Sequence, residues 1–383
     1  MWRVPLIAWA LSRLLVIGVG TLGSIWLGWG GSTDRSVPRA MVLLGSWDTG
    51  WYMELARQGY DLNTQAVGVA YTNLAFFPLL PLLLRLGITF SINPFFWGLI
   101  ICNVAFLGAL LAFHRISCDR RGLAFANRAT WILALSPPAV YASLVYTDGI
   151  MVGLATGAAL AATRGRWYLA GACAAAAALL RPQGILVAVL IALIALIPSG
   201  VPRTVRLRNA VIGGLPGFLA LGGFLTWMQV ARGSWSLPQK AEAAWGRPSP
   251  GVGILTSLWQ SSYNIVADPI THGFASFIAA MTWTGNARDL LITIPVVLLL
   301  IPLWRSERTW RSPWAIFATL AVLVPLAGGG VGSMTRYSLL AFPLVWPVAN
   351  WLGNGERRWV QWVAPLALIL MVALVLQLHY VQS

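Results

Sequence analysis

Charge is scarce in this sequence: only 10% of its 383 residues are Asp, Glu, Lys or Arg. A soluble globular chain carries about 25% charged residues, so the composition argues against a water-soluble protein. Hydrophobic residues make up 58%, and long apolar runs recur from one end to the other. We therefore expect an all-α polytopic membrane protein that forms one domain over residues 1–383.

Lysine is nearly absent, and only 11 acidic residues stand against 26 basic ones. The net charge of +15 does not indicate a nucleic-acid partner, because short basic loops are the usual topology signal of membrane proteins. The three cysteines have no metal-ligand spacing, and the three histidines are far apart. No disulfide framework, metal site or cofactor is expected.

Apolar runs of roughly 20 residues can cross a bilayer. About eleven such runs begin near Pro5, Pro94, Arg128, Gly149, Trp167, Gly184, Asn209, Leu290, Pro313, Tyr337 and Trp359. If the N-terminus is cytoplasmic, the basic loops between them lie on the cytoplasmic side and most acids, Asp289 among them, lie outside. Arg13 falls inside the first run and is expected to face the protein interior.

Two long loops then lie outside the membrane, at about 31–93 and 232–288. In the first loop, residues 51–58 suit a short helix that ends at Gly59. The apolar segment 76–85 is too short to span a bilayer, and its prolines are expected to break any regular helix. We predict a re-entrant or surface-lying segment there.

The first loop also places a carboxylate among aromatic rings, because Asp48 is flanked by Trp47, Trp51 and Tyr52. An ionised acid prefers open water, so this position suggests a chemical role. Asp48 is a candidate general base that takes a proton from an acceptor hydroxyl. The rings would stack on a sugar, line a lipid groove or anchor the loop at the interface. Alternatively, Asp48 caps the helix that follows.

Four further polar motifs fall on the same external face: Tyr146-Thr147-Asp148, Arg181-Pro182-Gln183-Gly184, Trp245-Gly246-Arg247 and Arg336-Tyr337. A phosphate leaving group needs positive charge as its bond breaks, and a guanidinium binds phosphate at two points. Arg181 and Arg336 are therefore candidate phosphate-binding residues, unless they reach to lipid headgroups instead. Asp148 could pair with an arginine for structural reasons alone.

Short motifs follow one another in order along most of the chain: Trp47-Asp48, Trp51-Tyr52, Gly59-Tyr60, Asn73-Leu74-Ala75-Phe76-Phe77-Pro78, Tyr146-Thr147-Asp148, Arg181-Pro182-Gln183-Gly184, Ala244-Trp245-Gly246-Arg247 and Arg336-Tyr337. Their order and spacing resemble the PIG-V family, the second mannosyltransferase of glycosylphosphatidylinositol synthesis, with its bacterial relatives. This family belongs to the GT-C superfamily of polytopic glycosyltransferases. Asp148 departs from the family pattern, in which Glu-Ser often follows Tyr-Thr, and Trp51-Tyr52 looks like the bacterial form.

The resemblance implies a GT-C fold in a bacterial plasma membrane, with short helices in the first external loop and an external active site. It implies a metal-independent, inverting transfer of mannose from polyprenyl-phosphate-mannose to a hydroxyl of a lipid or glycan acceptor. Asp48 would be the base, and Arg336 and Arg181 would bind the donor phosphate. The substrates would contact Trp47, Trp51, Tyr52, Asp148, Trp245, Arg247 and Tyr337.

Hypotheses from two other classes are also open. A lipid or glycolipid flippase or transporter typically has repeated halves and charges near the bilayer midplane. This sequence has no evident repeat, and its external polar motifs cluster at one face. A non-catalytic membrane partner of another enzyme would tolerate the loss of Asp48. Within the enzyme class, another sugar or a protein acceptor also fits.

Overall fold

The computed structural model describes residues 2–26, 34–197, 200–245, 286–329 and 331–353, with isolated residues between 259 and 273 and between 366 and 369. This part of the chain is helical and contains no strand. Its helices are α1 (Arg3–Trp26), α2 (Asp48–Gln58), α3 (Leu79–Thr89), α4 (Pro94–Arg121), α5 (Leu123–Leu135), α6 (Thr147–Thr163), α7 (Trp167–Ala178), α8 (Ile185–Leu196), α9 (Arg203–Arg232), α10 (Leu237–Ala241), α11 (Asn286–Leu298), α12 (Leu300–Glu307), α13 (Pro313–Gly329), α14 (Met334–Tyr337) and α15 (Val345–Trp351).

Four spans among the described residues are long and apolar enough to cross a membrane: α1, α4, α9 and the stretch Asp289–Glu307. The 3-10 helix Pro137–Ser143 and α6 together would make a fifth, but they are bent by 105°. The chain is thus a multi-pass membrane protein. The expected number of about eleven spans is not confirmed, because the other apolar helices have only 10–17 residues. The run from Trp359 lies outside the described residues.

The run from Tyr337 is divided and does not form the single span that the sequence predicts. After α14 come two 3-10 helices, Ser338–Leu340 and Phe342–Leu344, and then α15. The helix breaks at Ala341, whose ψ of 41° is not helical, just before Pro343. A proline interrupts a helix because it lacks an N–H and its ring meets the preceding turn. These short pieces are almost entirely buried.

The first long loop contains the expected short helices. α2 ends at Gln58, and Gly59 follows with a φ of +81°, a conformation in which glycine is least strained. The segment 76–85 differs from the prediction, because α3 is a regular helix. Its prolines do not break it, since Pro78 precedes the helix and Pro81 lies in the first turn, where an N–H has no helical partner.

One large hydrophobic core runs through the bundle from α1 to α15. Within it, α6 approaches α4 closely at two glycines. A Cβ atom added at Gly149 would lie 2.8 Å from the carbonyl oxygen of Cys102, and one at Gly153 would lie 2.7 Å from that of Ala105. Small residues four apart allow such backbone contact between membrane helices. This packing fixes the beginning of α6 against α4.

Arg13 faces the protein interior, as expected, and its partners lie in the bend before α6. Its Nη1 atom donates to the carbonyl of Ala139 at 2.9 Å and to the hydroxyl of Ser143 at 2.7 Å. Its guanidinium also lies 4.5 Å from the centre of the Phe106 ring. Buried charge needs such partners, so Arg13 holds the Pro137–Ser143 helix in place.

Three of the basic loops that were predicted to be cytoplasmic contribute to ion pairs at one end of the bundle. Arg120 pairs with Glu307 at 2.6 Å, and Arg164 pairs with Asp119 at 2.6 Å. Arg164 follows the last residue of α6, whereas Asp148 lies in its first turn. At 1.5 Å per residue these two positions are about 25 Å apart, so Asp148 belongs to the opposite end.

We expect Gly153→Ala to lower the midpoint of thermal unfolding of the purified protein in detergent. The new methyl group would meet the Ala105 backbone, which cannot move aside as a flexible side chain can, and such overpacking costs about 1–3 kcal/mol. Gly157→Ala is the matched control in the same helix, because nothing lies within 4 Å of that position. Equal loss of stability in both variants would contradict the packing argument.

Candidate active site

Four charged side chains from distant parts of the chain meet at one point: Asp48, Asp148, Arg181 and Arg336. We call them the carboxylate–arginine cluster. Asp148 accepts from Arg181 Nη1 at 2.8 Å and from Arg336 Nε at 2.6 Å, one bond to each oxygen. Arg336 Nη1 also donates to the carboxylate of Asp48. Four of the five predicted external motifs therefore contribute to one site.

The cluster has two positive and two negative charges and is largely buried. The Asp148 side chain is fully buried, whereas that of Asp48 is 23% exposed. Burial by itself lowers the pKa of Arg336, but Asp148 and Asp48 outweigh it and hold that pKa well above its ordinary value. Arg336 thus stays cationic, and Asp48 is the cluster's carboxylate that solvent and a ligand can reach.

Each of the two arginines also lies over the face of a tyrosine ring. The Arg336 guanidinium lies 4.5 Å from the centre of the Tyr146 ring, and that of Arg181 lies 5.1 Å from the centre of the Tyr337 ring. The electron-rich face of an aromatic ring attracts a cation at this range. The Tyr146 hydroxyl is itself a hydrogen-bond donor to the carbonyl of Ser46.

The backbone beside Asp48 is fixed to the same tyrosine. The Asp48 N–H donates to the Tyr146 hydroxyl at 3.3 Å, and this hydroxyl donates to the carbonyl of Ser46 at 3.4 Å. Between them, Trp47 has a φ of +54°, which is uncommon for a bulky residue. Strained positions of this kind often occur at functional sites.

Asp48 does not cap a helix with its side chain. Trp47 occupies the N-cap position of α2, and no side-chain capping bond is formed there. Asp48 is the first helical residue, and its carboxylate binds Arg336 instead. The alternative interpretation as a helix cap is therefore wrong.

The predicted substrate-binding aromatics have different surroundings. Tyr52 is buried and meets the Phe76 ring edge-on at 5.0 Å; burial raises the pKa of its phenol. Trp51 is half-buried and stacks on the Phe76 ring, with the two ring centroids 6.0 Å apart. Trp47 and Trp51 line a cavity of about 750 Å³. Trp245 ends the 3-10 helix Glu242–Trp245, and Arg247 lies outside the described residues.

Asp148 was predicted to contact substrate, but both of its oxygens already accept from arginines. Its surroundings fit the structural alternative, in which it holds Arg181 and Arg336 in place. Among the residues that the structure describes, no group of three or more His, Cys, Asp or Glu side chains could hold a metal ion.

Sequence reasoning missed the role of Asp289, which was counted only as an external acid. Its buried carboxylate accepts from the Ser333 N–H at 2.9 Å, and from the N–H and hydroxyl of Thr335 at 3.4 and 2.7 Å. Ser333 has a φ of +64°, so the turn before Arg336 depends on these bonds. No spacing signal links Asp289 to a turn more than forty residues later.

No model of a known protein family and no curated protein matches the chain. Among solved structures, it is similar to the oligosaccharyltransferase AglB from Archaeoglobus fulgidus in complex with an inhibitory peptide and a dolichol-phosphate. The TM-score is 0.46 at 13% identity, over 99% of this chain and 56% of that one.

The apo form of the Archaeoglobus fulgidus oligosaccharyltransferase gives the same values. Its complex with zinc and sulfate gives a TM-score of 0.45 at 14% identity, over 98% of this chain and 53% of that one. The chain thus spans about half the length of these structures. A similarity this low carries no argument about activity.

Asp148→Asn is expected to destabilise the protein by about 3–5 kcal/mol, because it leaves two buried arginines with too little negative charge. Asp119→Asn is the matched control, since Asp119 also pairs with two arginines, Arg115 and Arg164, but is 42% exposed. Exposed pairs contribute about 1 kcal/mol or less. Denaturant unfolding of the two variants in detergent tests this, and similar losses would contradict it.

Proposed function

We propose that the protein is a glycosyltransferase with a GT-C fold, related to the PIG-V mannosyltransferases. It moves a mannosyl group from polyprenyl-phosphate-mannose to a hydroxyl of a lipid or glycolipid acceptor, on the external face of a bacterial plasma membrane. The observation that carries the proposal is the carboxylate–arginine cluster. In it, the partly exposed carboxylate of Asp48 binds Arg336, and Asp148 binds both Arg336 and Arg181. The ordered sequence motifs support mannose as the sugar and polyprenyl-phosphate-mannose as the donor.

Arg181 and Arg336 bind the donor phosphate in this proposal. Arg181 Nε is buried and has no hydrogen-bond partner among the described residues, so a phosphate that reached it would satisfy this N–H. Arg336 Nη1 now binds Asp48, which an incoming phosphate can replace. Guanidinium and phosphate form strong charge-assisted hydrogen bonds. Asp148 keeps both guanidinium groups oriented while the donor binds.

The donor also frees the base. A carboxylate that is bound to an arginine has fewer free lone pairs for an acceptor hydroxyl than an unpaired one. Asp48 and the donor phosphate compete for the same guanidinium, so a bound donor releases Asp48 from Arg336. In this proposal the acceptor hydroxyl is activated once a donor has displaced Asp48 from Arg336.

In the chemical step, the acceptor oxygen attacks the anomeric carbon of mannose, and Asp48 takes the hydroxyl proton. The bond from the anomeric carbon to the phosphate oxygen breaks, and its electron pair leaves with polyprenyl phosphate. Arg181 and Arg336 stabilise the negative charge that grows on the leaving group. Attack from the opposite face inverts the centre, so a β-linked donor gives an α-linked product.

We expect Asp48→Asn to reduce transfer of radiolabelled mannose from polyprenyl-phosphate-mannose by about 10²- to 10⁴-fold, because an amide cannot act as the base. Donor binding should be unchanged or tighter, since the competitor for Arg336 is weakened. Asp61→Asn is the control, because Asp61 lies in the same loop but binds the Asn73 N–H. Equal transfer by wild type and Asp48→Asn at matched expression would eliminate Asp48 as the base.

Arg336→Lys and Arg181→Lys should each raise the donor KM about tenfold, because lysine keeps the charge but loses the two-point contact with phosphate. The stability of the folded protein should change less than in Asp148→Asn. Arg164→Lys is the control, since Arg164 pairs with Asp119 at the other end of the bundle. If neither variant changes the donor KM, the phosphate assignment is wrong.

A further inference from the structure

A second side of α2 lines the cavity of about 750 Å³. Trp47, Gly50, Trp51, Glu54 and Gln58 follow one another at helical spacing along this side, and Asp34, Arg35, Ser36 and Arg57 complete the lining. With 3.6 residues per turn, this side is about a quarter turn away from Asp48. The cavity and the arginines therefore approach α2 from different directions.

The lining of the cavity is polar but carries no surplus charge. Two acids, Asp34 and Glu54, balance two arginines, Arg35 and Arg57. Arg57 is already paired with Asp34 at 2.5 Å. A site for a phosphate or another anion would present an excess of positive charge, and a site for a lipid tail would be apolar. The composition favours a neutral ligand with many hydroxyl groups.

Two features on α2 suit such a ligand. Trp51 is held by the Phe76 ring behind it, with centroids 6.0 Å apart and planes 17° from parallel, so it offers a rigid aromatic surface. Glu54 has no hydrogen bond or ion pair with the described residues, and burial together with Asp61 and Asp34 raises its pKa. Its carboxyl group is thus free to bind hydroxyls.

We infer that this cavity is the acceptor subsite and that it binds a neutral saccharide unit between Trp51 and Glu54. The inference rests on the proposed function and names the chemical class of its acceptor. Trp47 and Gly50 line the cavity on either side of Asp48 in sequence. A sugar in the cavity therefore lies beside the chain segment that carries Asp48, while the donor would approach from the arginines.

The test is saturation-transfer NMR with the full-length protein in phosphatidylcholine nanodiscs, free of glycoside detergents. The probe is methyl α-D-mannopyranoside, with mannose 6-phosphate as the charged comparison. Trp51→Ala and Glu54→Ala should each weaken binding of the neutral glycoside about tenfold. Trp310→Ala, which removes an exposed tryptophan far along the chain, should leave binding unchanged.

The outcomes separate the two proposals. Loss of binding in Trp51→Ala and Glu54→Ala, with binding retained in Trp310→Ala, supports the subsite whether or not Asp48→Asn abolishes transfer. No binding by wild type, equal binding by all variants, or tighter binding of mannose 6-phosphate would overturn the subsite. The mannosyl-transfer proposal would then still stand or fall on the Asp48→Asn transfer assay.

Discussion

The buried carboxylate of Asp148 is the point on which the rest of the site depends. It joins the beginning of α6 to Arg181 and Arg336, which are 33 and 188 residues away in sequence. Ion pairs in a buried setting are stable only while both charges are present. The geometry of the site therefore depends on helix packing, because the glycine contacts between α4 and α6 fix where Asp148 lies.

Arg336 binds two carboxylates that differ in exposure. Asp148 is fully buried and also binds Arg181, whereas Asp48 is partly exposed and has Arg336 as its ion-pair partner. If a ligand replaced Asp148 as the partner of Arg336, the buried charge of Asp148 would lose part of its compensation. If a ligand replaced Asp48 instead, a partly exposed carboxylate would be released toward solvent, which costs much less free energy. This asymmetry is the physical reason for assigning a structural role to one acid and a chemical role to the other.

The sequence predicted what depends on local signals. The helix that ends at Gly59 is confirmed, since glycine suits the positive φ after a helix. The broken helix at 76–85 was wrong, because a proline in the first turn does not break a helix. The hydrogen bond from the Ser333 N–H to Asp289 could not be predicted, because no sequence pattern links an acid to a backbone N–H that lies so much later in the chain. The common face of Asp48 and Arg336 followed from arginine placement, but their contact did not.

α2 faces the carboxylate–arginine cluster on one side and the cavity on another. Asp48 and Tyr52, four residues apart, lie on the side toward Arg336 and Thr147, and Trp51 and Glu54 lie on the side toward the cavity. In the first turn of α2 the two sides are neighbours in sequence, because Trp47 and Gly50 line the cavity and Asp48 between them binds Arg336. The proposed base therefore lies where the residues of the cavity lining and the ion pair with Arg336 are closest along the chain.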